Sequence, residues 1–262
     1  MAKMHGKPCW YELTTADGAL AAAETFYGEV LGWSFRDSGM EGFEYHLASL
    51  EGDMVAGLMS RPDGAPAEVP PHWLIYFAVE DADAAAAAVT AAGGRIYLEP
   101  TDAPGAGRFA VLADPQGAAF GVMRPAPTPG AAQGEVFDQQ KAGHANWNEL
   151  MTTDPEAGFD FYSGLFGWSK SQGVDMGEMG TYQLFSHDGA DIGGMMGLGQ
   201  APVPNWLPYF GVNGVDAAIA RIGAAGGALA HGPMEVPGGA FIAVAQDPQG
   251  AWFAVVGPKD PS

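Results

Sequence analysis

The sequence predicts an α+β protein of two tandem modules, each of paired βαβββ units forming a curved, cup-like mixed sheet. Three observations predict it. First, the chain repeats itself. Trp10-Tyr-Glu12-Leu13-Thr-Thr15 returns as Trp147-Asn-Glu149-Leu150-Met-Thr152. Phe26-Tyr27, with Leu31-Gly32-Trp33 after it, returns as Phe161-Tyr162 with Phe166-Gly167-Trp168. Trp73-Leu74-Ile-Tyr76-Phe77 returns as Trp206-Leu207-Pro-Tyr209-Phe210, and Asp114-Pro-Gln-Gly117 as Asp247-Pro-Gln-Gly250. The order is kept and the offset stays between 133 and 137 residues, which marks a duplicated structural unit. Second, a helical pattern followed by three short strand patterns occurs four times, as in α+β units with largely antiparallel sheets. Third, strands this short do not stand alone, so paired units close a curved sheet around a concavity.

Taken in order, residues 9–15 read as a strand and Asp17 to Leu31 as a helix. Asp17 is placed to cap that helix, Phe26, Val30 and Leu31 give its apolar stripe, and Gly32 stops it. Strands follow near 33–37, 43–50 and 54–59. The cycle restarts with a strand at Trp73–Val79 and a helix at Asp81–Ala92, stopped by Gly93-Gly94. Strands near 95–98, 108–113 and 118–124 complete the first module, residues 1–124. Residues 125–143 have turn and linker composition and read as the connection. The alternative for them is an ordered strap, since Val136-Phe137 is apolar. The second module, 144–262, repeats the plan with helices near 154–166 and 216–225.

Composition limits the function classes. The 262 residues carry 11 Lys+Arg against 31 Asp+Glu, a net charge of −20. Such a field repels phosphate backbones and anionic lipid, so nucleic-acid and membrane-surface roles are not expected. Cys9 is the one cysteine, which excludes an intrachain disulfide and suits a reducing cytoplasm. The N-terminal residues lack an apolar signal-like region, and no apolar stretch approaches ~18 residues. A cytoplasmic protein, monomer or homodimer, is the expectation.

The four motifs, in this order and twice, resemble those of the vicinal oxygen chelate superfamily of glyoxalase, bleomycin-resistance and dioxygenase-like proteins, in its two-module actinobacterial form. The resemblance implies cup-shaped modules. It implies a reaction only weakly, because the fold hosts many chemistries. Metal-dependent members hold the ion with side chains from the first, fourth, fifth and eighth strands of each module. Carried over by position, the first-strand ligand falls at Trp10 and Trp147, and the fourth-strand carboxylate at Gly57 and Gly194. The fifth-strand histidine falls at Leu74 and Leu207, and the last-strand glutamate at Gly121 and Ala254. None offers an imidazole or carboxylate donor, so no metal and no cofactor is expected. The six histidines form no His-x-His or His-x-x-x-His pair.

Strand side chains alternate, so residues two apart share a face. Glu12 therefore shares the cup face with Trp10, and Glu149 with Trp147. Tyr76 joins Leu74, Tyr209 joins Leu207, and Trp252 joins Ala254. Arg108 is placed to meet an anionic group in the first module only. Each cup then reads as roomy, aromatic and furnished with one carboxyl, a profile for a flat, largely apolar small molecule. Trp33, Trp73, Trp168 and Trp206 read as core or interface residues. Three functions follow as alternatives. One is a metal-free binder of a small aromatic or apolar drug or metabolite. The second is a metal-independent lyase, isomerase or hydroxylase-like enzyme acting on an aromatic or polyketide-like substrate. Glu12 or Glu149 would then act as general acid/base, with a pKa raised toward ~6–7. The third is an interaction scaffold with vestigial cups.

Overall fold

The computed structural model describes residues 4–40, 42, 44–62, 69–126 and 135–261. In the first copy, β1 (Pro8–Thr15) and α1 (Leu20–Leu31) precede β2 (Ser34–Asp37), β3 (Tyr45–Leu50) and β4 (Asp53–Ser60). Then come β5 (His72–Ala78), α2 (Ala82–Ala91), β6 (Arg95–Ala103), β7 (Gly107–Ala113) and β8 (Ala119–Pro125). The second copy has β9 (Ala145–Thr152), α3 (Pro155–Phe166), β10 (Ser169–Asp175), β11 (Thr181–His187) and β12 (Ala190–Gly197). It ends with β13 (Asn205–Gly211), α4 (Val215–Ala224), β14 (Ala228–Glu235), β15 (Phe241–Gln246) and β16 (Trp252–Gly257). The strands form two eight-stranded mixed sheets, ordered β2-β3-β4-β1-β5-β8-β7-β6 and β10-β11-β12-β9-β13-β16-β15-β14. The predicted α+β class and duplicated βαβββ plan are what the chain adopts.

Local chemistry sets the element ends. Gly32 and Gly167 close α1 and α3 at φ 78° and 72°, a left-handed geometry that glycine adopts without a Cβ penalty. Asp81 and Asp154 cap α2 and α3 by accepting backbone N–H bonds at their first turns. Asp17 does not cap α1, contrary to the sequence expectation. The helix starts later, with Ala19 at its N-cap and no side-chain cap. The intervening Gly18 has φ 69°, and Asp17 accepts from Arg61 Nε at 3.2 Å instead. Of the segment read as linker or strap, 127–134 lie outside the described residues. Val136 and Phe137 are buried, and Phe137 bridges Ala145.

By compactness the chain divides into two units, and each draws on both copies. One comprises Met1–Cys9, Leu74–Ala132 and Asn148–Leu207; the other comprises Trp10–Trp73, Gln133–Trp147 and Pro208–Ser262. In the first unit, Phe77, Phe120, Phe166, Trp168, Phe185 and Trp206 form a buried aromatic core. Tyr162 Oη accepts from Trp206 Nε1 at 3.0 Å and donates to Asp114 Oδ2 at 3.0 Å. In the second unit, Phe26, Tyr27, Trp33, Trp73, Phe210 and Phe253 do the same. Tyr27 Oη accepts from Trp73 Nε1 at 2.9 Å and donates to Asp247 Oδ2 at 3.1 Å. Trp33 and Trp168 donate their indole N–H to the backbone oxygens of Gly143 and Gly6. The repeated Phe-Tyr and Asp-Pro-Gln-Gly motifs thus meet inside each unit, and each meeting joins one motif from each copy.

The Asp-Pro-Gln-Gly aspartates are held from two sides. Asp114 Oδ1 accepts the backbone N–H of Gln116, Gly117 and Ala118, while Oδ2 takes the Tyr162 phenol. Burial nevertheless raises the carboxyl above its ordinary range, and the same holds for Asp247. Tyr27 and Tyr162 are pushed well up by burial and by the adjacent carboxylate, so both remain donors.

Candidate functional site

On β1 the burial alternates. Tyr11, Leu13 and Thr15 are buried, while Trp10, Glu12 and Thr14 keep partial exposure on the other face. Glu12 pairs in parallel register with Gly57 of β4, and Gly57 pairs with Leu47 of β3. A Cβ on Gly57 would lie 2.0 Å from Tyr45 Oη and 2.4 Å from Tyr45 Cζ. The Tyr45 ring therefore lies across the glycine. Trp10 Nε1 donates to Tyr45 Oη at 2.7 Å, and Tyr45 Oη donates to Glu12 Oε2 at 2.9 Å. This chain of donation runs one way and ends on a carboxylate. Tyr45 is pushed well above the usual phenol range, first by burial and then by the Glu12 charge, so its proton stays in place.

The second copy repeats the frame. Glu149 pairs with Gly194 of β12, and a Cβ on Gly194 would lie 2.2 Å from the Tyr182 ring. Glu149 is buried, unlike the half-buried Glu12, and Trp147 is partly exposed. Tyr45 and Tyr182 were absent from the sequence-derived site. Their signal was present, since Tyr45-x-Leu47-x-Ser49 returns as Tyr182-x-Leu184-x-Ser186 within the offset of the repeat.

The remaining expected positions divide by burial. Tyr76 pairs with Gly121, and a Cβ there would meet the Tyr76 ring at 2.1 Å. Leu74 and Tyr76 are buried, as are Leu207, Tyr209 and Ala254, the last two paired across β13 and β16. The space cleared at Gly57, Gly121 and Gly194 is therefore filled by tyrosine rings, which corrects the expectation of roomy cups. Trp252 is 42% exposed. Arg108 is also corrected. It shares its face of β7 with the buried Ala110 and Leu112, and it grips Asp83 of α2 at 2.6 and 2.8 Å, with Asp102 at 3.3 Å. It lies on the helix side of the sheet, and its hydrogen bonds hold the Asp83 carboxyl below its ordinary range.

Other groups offer less chemistry. A depression of ≈ 330 Å³ is lined by Ala92, Asp114, Pro115, Gln116, Ala157, Gly158 and Phe161. Its polar groups are engaged in the unit itself, Gln116 Nε2 donating to the Asp154 backbone oxygen. Burial pushes the Cys9 thiol well up, away from nucleophile character. His46 pairs with Glu24, and His5 with the Leu165 backbone oxygen. Among the described residues, no group of three or more His, Cys, Asp or Glu is arranged to hold a metal ion. No helix among them is long and apolar enough to cross a membrane. The positions to which the resemblance assigns a metal's ligands carry indole, leucine, glycine and alanine, and rings cover Gly57, Gly121 and Gly194. These residues do not fit a divalent ion.

A family model, Glyoxalase/Bleomycin resistance protein/Dioxygenase superfamily, matches residues 12–122 and 141–255. A Mycobacterium bovis protein named "Putative glyoxylase CFP32" is 35% identical over 256 residues, 97% of this chain and 95% of that protein. The anthracycline biosynthesis protein DnrV of Streptomyces peucetius is 35% identical over 268 residues, 96% of this chain and 93% of that protein. Among solved structures, homoprotocatechuate 2,3-dioxygenase of Brevibacterium fuscum with its substrate aligns at TM-score 0.68 and 17% identity, over 99% of this chain and 83% of that one. The Mn(II)-bound glyoxalase of Novosphingobium aromaticivorans aligns at TM-score 0.65 and 17% identity, over 98% and 83%. At that identity the likeness is one of fold. The repeated motifs, the paired eight-stranded sheets and the two-part match place this chain in the glyoxalase/bleomycin resistance/dioxygenase superfamily.

Proposed function

We propose that the chain is a metal-independent member of this superfamily that binds a flat, largely apolar small molecule. One observation carries the reading. The first-strand and fourth-strand ligand positions are Trp10 and Gly57, and the phenol of Tyr45 ties them to Glu12. That arrangement offers aromatic surface and one oriented carboxylate, the usual furniture of a small-molecule site. Relatives named for anthracycline biosynthesis favour a polycyclic aromatic ligand. A second reading, a metal-independent enzyme with Glu12 or Glu149 as general acid/base, rests on the same carboxylates. The Tyr45 phenol donates to Glu12 Oε2, which would steady a carboxylate base as readily as a binding group. The aromatic surface of Trp10 and Tyr45 beside it favours the binding reading.

The test is a fluorescence titration with an anthraquinone-type probe, alongside elemental analysis of the purified protein. Wild-type protein should be quenched saturably, Trp10→Ala should lose the response, and no Zn, Ni, Mn or Fe should copurify stoichiometrically. One ion per copy would overturn the metal-independent reading. Turnover of such a compound that Glu12→Gln abolishes, with binding kept, would favour the enzyme.

A further inference from the structure

We infer that residues 258–261, which follow β16, are a releasable latch that supplies α4 with its N-cap from outside the helix. The inference goes beyond the binding reading and does not depend on it. A comparison within the repeat carries it. Asp81 stands at the N-cap of α2 in extended geometry, and its carboxylate accepts the backbone N–H of Asp83 and Ala84 at 2.9 and 3.0 Å. A side chain so placed satisfies donors that the first turn of a helix leaves without partners. At the repeat position α4 has Gly214, also extended, at φ −164° and ψ 123°, with no side chain to cap with.

The segment after β16 fills that place. Asp260 Oδ2 accepts the N–H of Ala217, the repeat equivalent of Ala84, at 2.9 Å. A Cβ on Gly214 would lie 2.1 Å from Asp260 Oδ1 and 2.6 Å from its Cγ. The Asp260 carboxyl thus occupies the volume in which a capping side chain at position 214 would begin. Pro258 O accepts the N–H of Val215 at 3.0 Å, so the same segment meets a second donor of the first turn. A carboxylate there also faces the positive end of the helix dipole. Little else holds the segment. Pro258, Lys259 and Pro261 are exposed and Asp260 is half-buried. Lys259 adds an ammonium 5.5 Å from the centre of the Phe241 ring. With no buried apolar side chain among these four residues, the segment opens without unfolding the sheet behind it. Opening strips α4 of both acceptors, and its first turn frays.

Two measurements on the full folded chain test this: amide hydrogen exchange at Ala217, and trypsin cleavage after Lys259. Asp260→Ala should speed exchange at Ala217 by about fivefold, the loss of a typical cap, and should speed the cleavage as the segment comes free. Asp260→Asn should keep both close to wild type, because asparagine caps as well as aspartate does. Adding Gly214→Asp to Asp260→Ala should restore slow exchange at Ala217 while cleavage after Lys259 stays fast. The helix then caps itself, as α2 does through Asp81, and the segment is left loose. That separation of the two readouts distinguishes a cap from simple packing of the segment against the helix. Unchanged exchange at Ala217 in Asp260→Ala would overturn the inference, and so would failure of Gly214→Asp to restore it.

Discussion

Tyr162→Phe should be among the most damaging single-atom deletions in the chain. The ring stays, so the aromatic core around Phe120, Phe166 and Trp168 keeps its packing. What goes is the hydroxyl that accepts from Trp206 and donates to Asp114. Both partners are buried, at 4% and 2% exposure, and water does not replace the lost group. A stranded buried polar group costs about 1–3 kcal/mol; the Trp206 indole loses its acceptor outright and Asp114 loses one of its four donors, so the sum is about 2–5 kcal/mol. For a chain of this size that corresponds to a fall of about 5–15 °C in Tm. The cost should also depend on pH. Asp114 has its folded pKa raised above the unfolded value, so its contribution is fullest below the unfolded value and is lost as pH rises through the folded one. The Tyr162 bond opposes that rise by stabilising the charged form. Removing it raises the folded pKa further, so the loss relative to wild type should be larger at pH 7 than near pH 4. Urea melts at the two pH values measure both effects, and Tyr27→Phe should reproduce them through Asp247. A loss below 0.5 kcal/mol at pH 7 in both variants would refute the reasoning.

Gly57→Ala places a methyl 2.0 Å from Tyr45 Oη, so the ring must move and the bond to Glu12 must break. Overpacking of this kind costs about 1–3 kcal/mol; denaturation should show that loss, and probe titration should show weakened binding. Arg108→Ala should leave probe affinity unchanged, because its partners are Asp83 and Asp102 on the helix side. Its exposed ion pairs should contribute little to stability, and a tenfold loss of probe affinity would restore Arg108 to the site.

Much of this was legible in the sequence because it depends on short-range chemistry. The glycines after α1 and α3, the aspartate caps of α2 and α3, and the alternation of β1 are each set within a few residues. Asp17 failed as a cap because Gly18 turns the chain before the helix begins. The strand read as 95–98 runs on to Ala103, since Pro100 is tolerated where β6 forms the edge of its sheet. Arg108 was misplaced because alternation was not carried along β7, where Ala110 and Leu112 mark its face as the helix side. Tyr45 was missed for a different reason. The ligand positions carried over by the resemblance drew attention to Gly57 itself, and that the repeated Tyr45 lies over it from the neighbouring strand is seen only in register.

The repeat itself left one matter open, namely which half packs with which. Two copies in one chain are equally compatible with self-contained modules or with exchanged halves, and the unit composition answers for the exchange. This yields a prediction for the first copy alone, a chain ending at Pro125. It keeps Tyr27 and Asp114 but lacks Asp247 and Tyr162, the partners those residues use in the full chain. It also lacks Phe210 and Phe253, against which Phe26, Tyr27, Trp33 and Trp73 pack. Leaving these four rings wet forfeits on the order of 10 kcal/mol, as much as a domain's whole stability. A second molecule can repair the loss, since its Asp114 and Phe120 stand at the repeat positions of Asp247 and Phe253. Sedimentation should therefore find the fragment dimeric when concentrated and unfolding as it is diluted. Cooperative melting of a monomer at the temperature of the full chain would show that each copy is complete in itself.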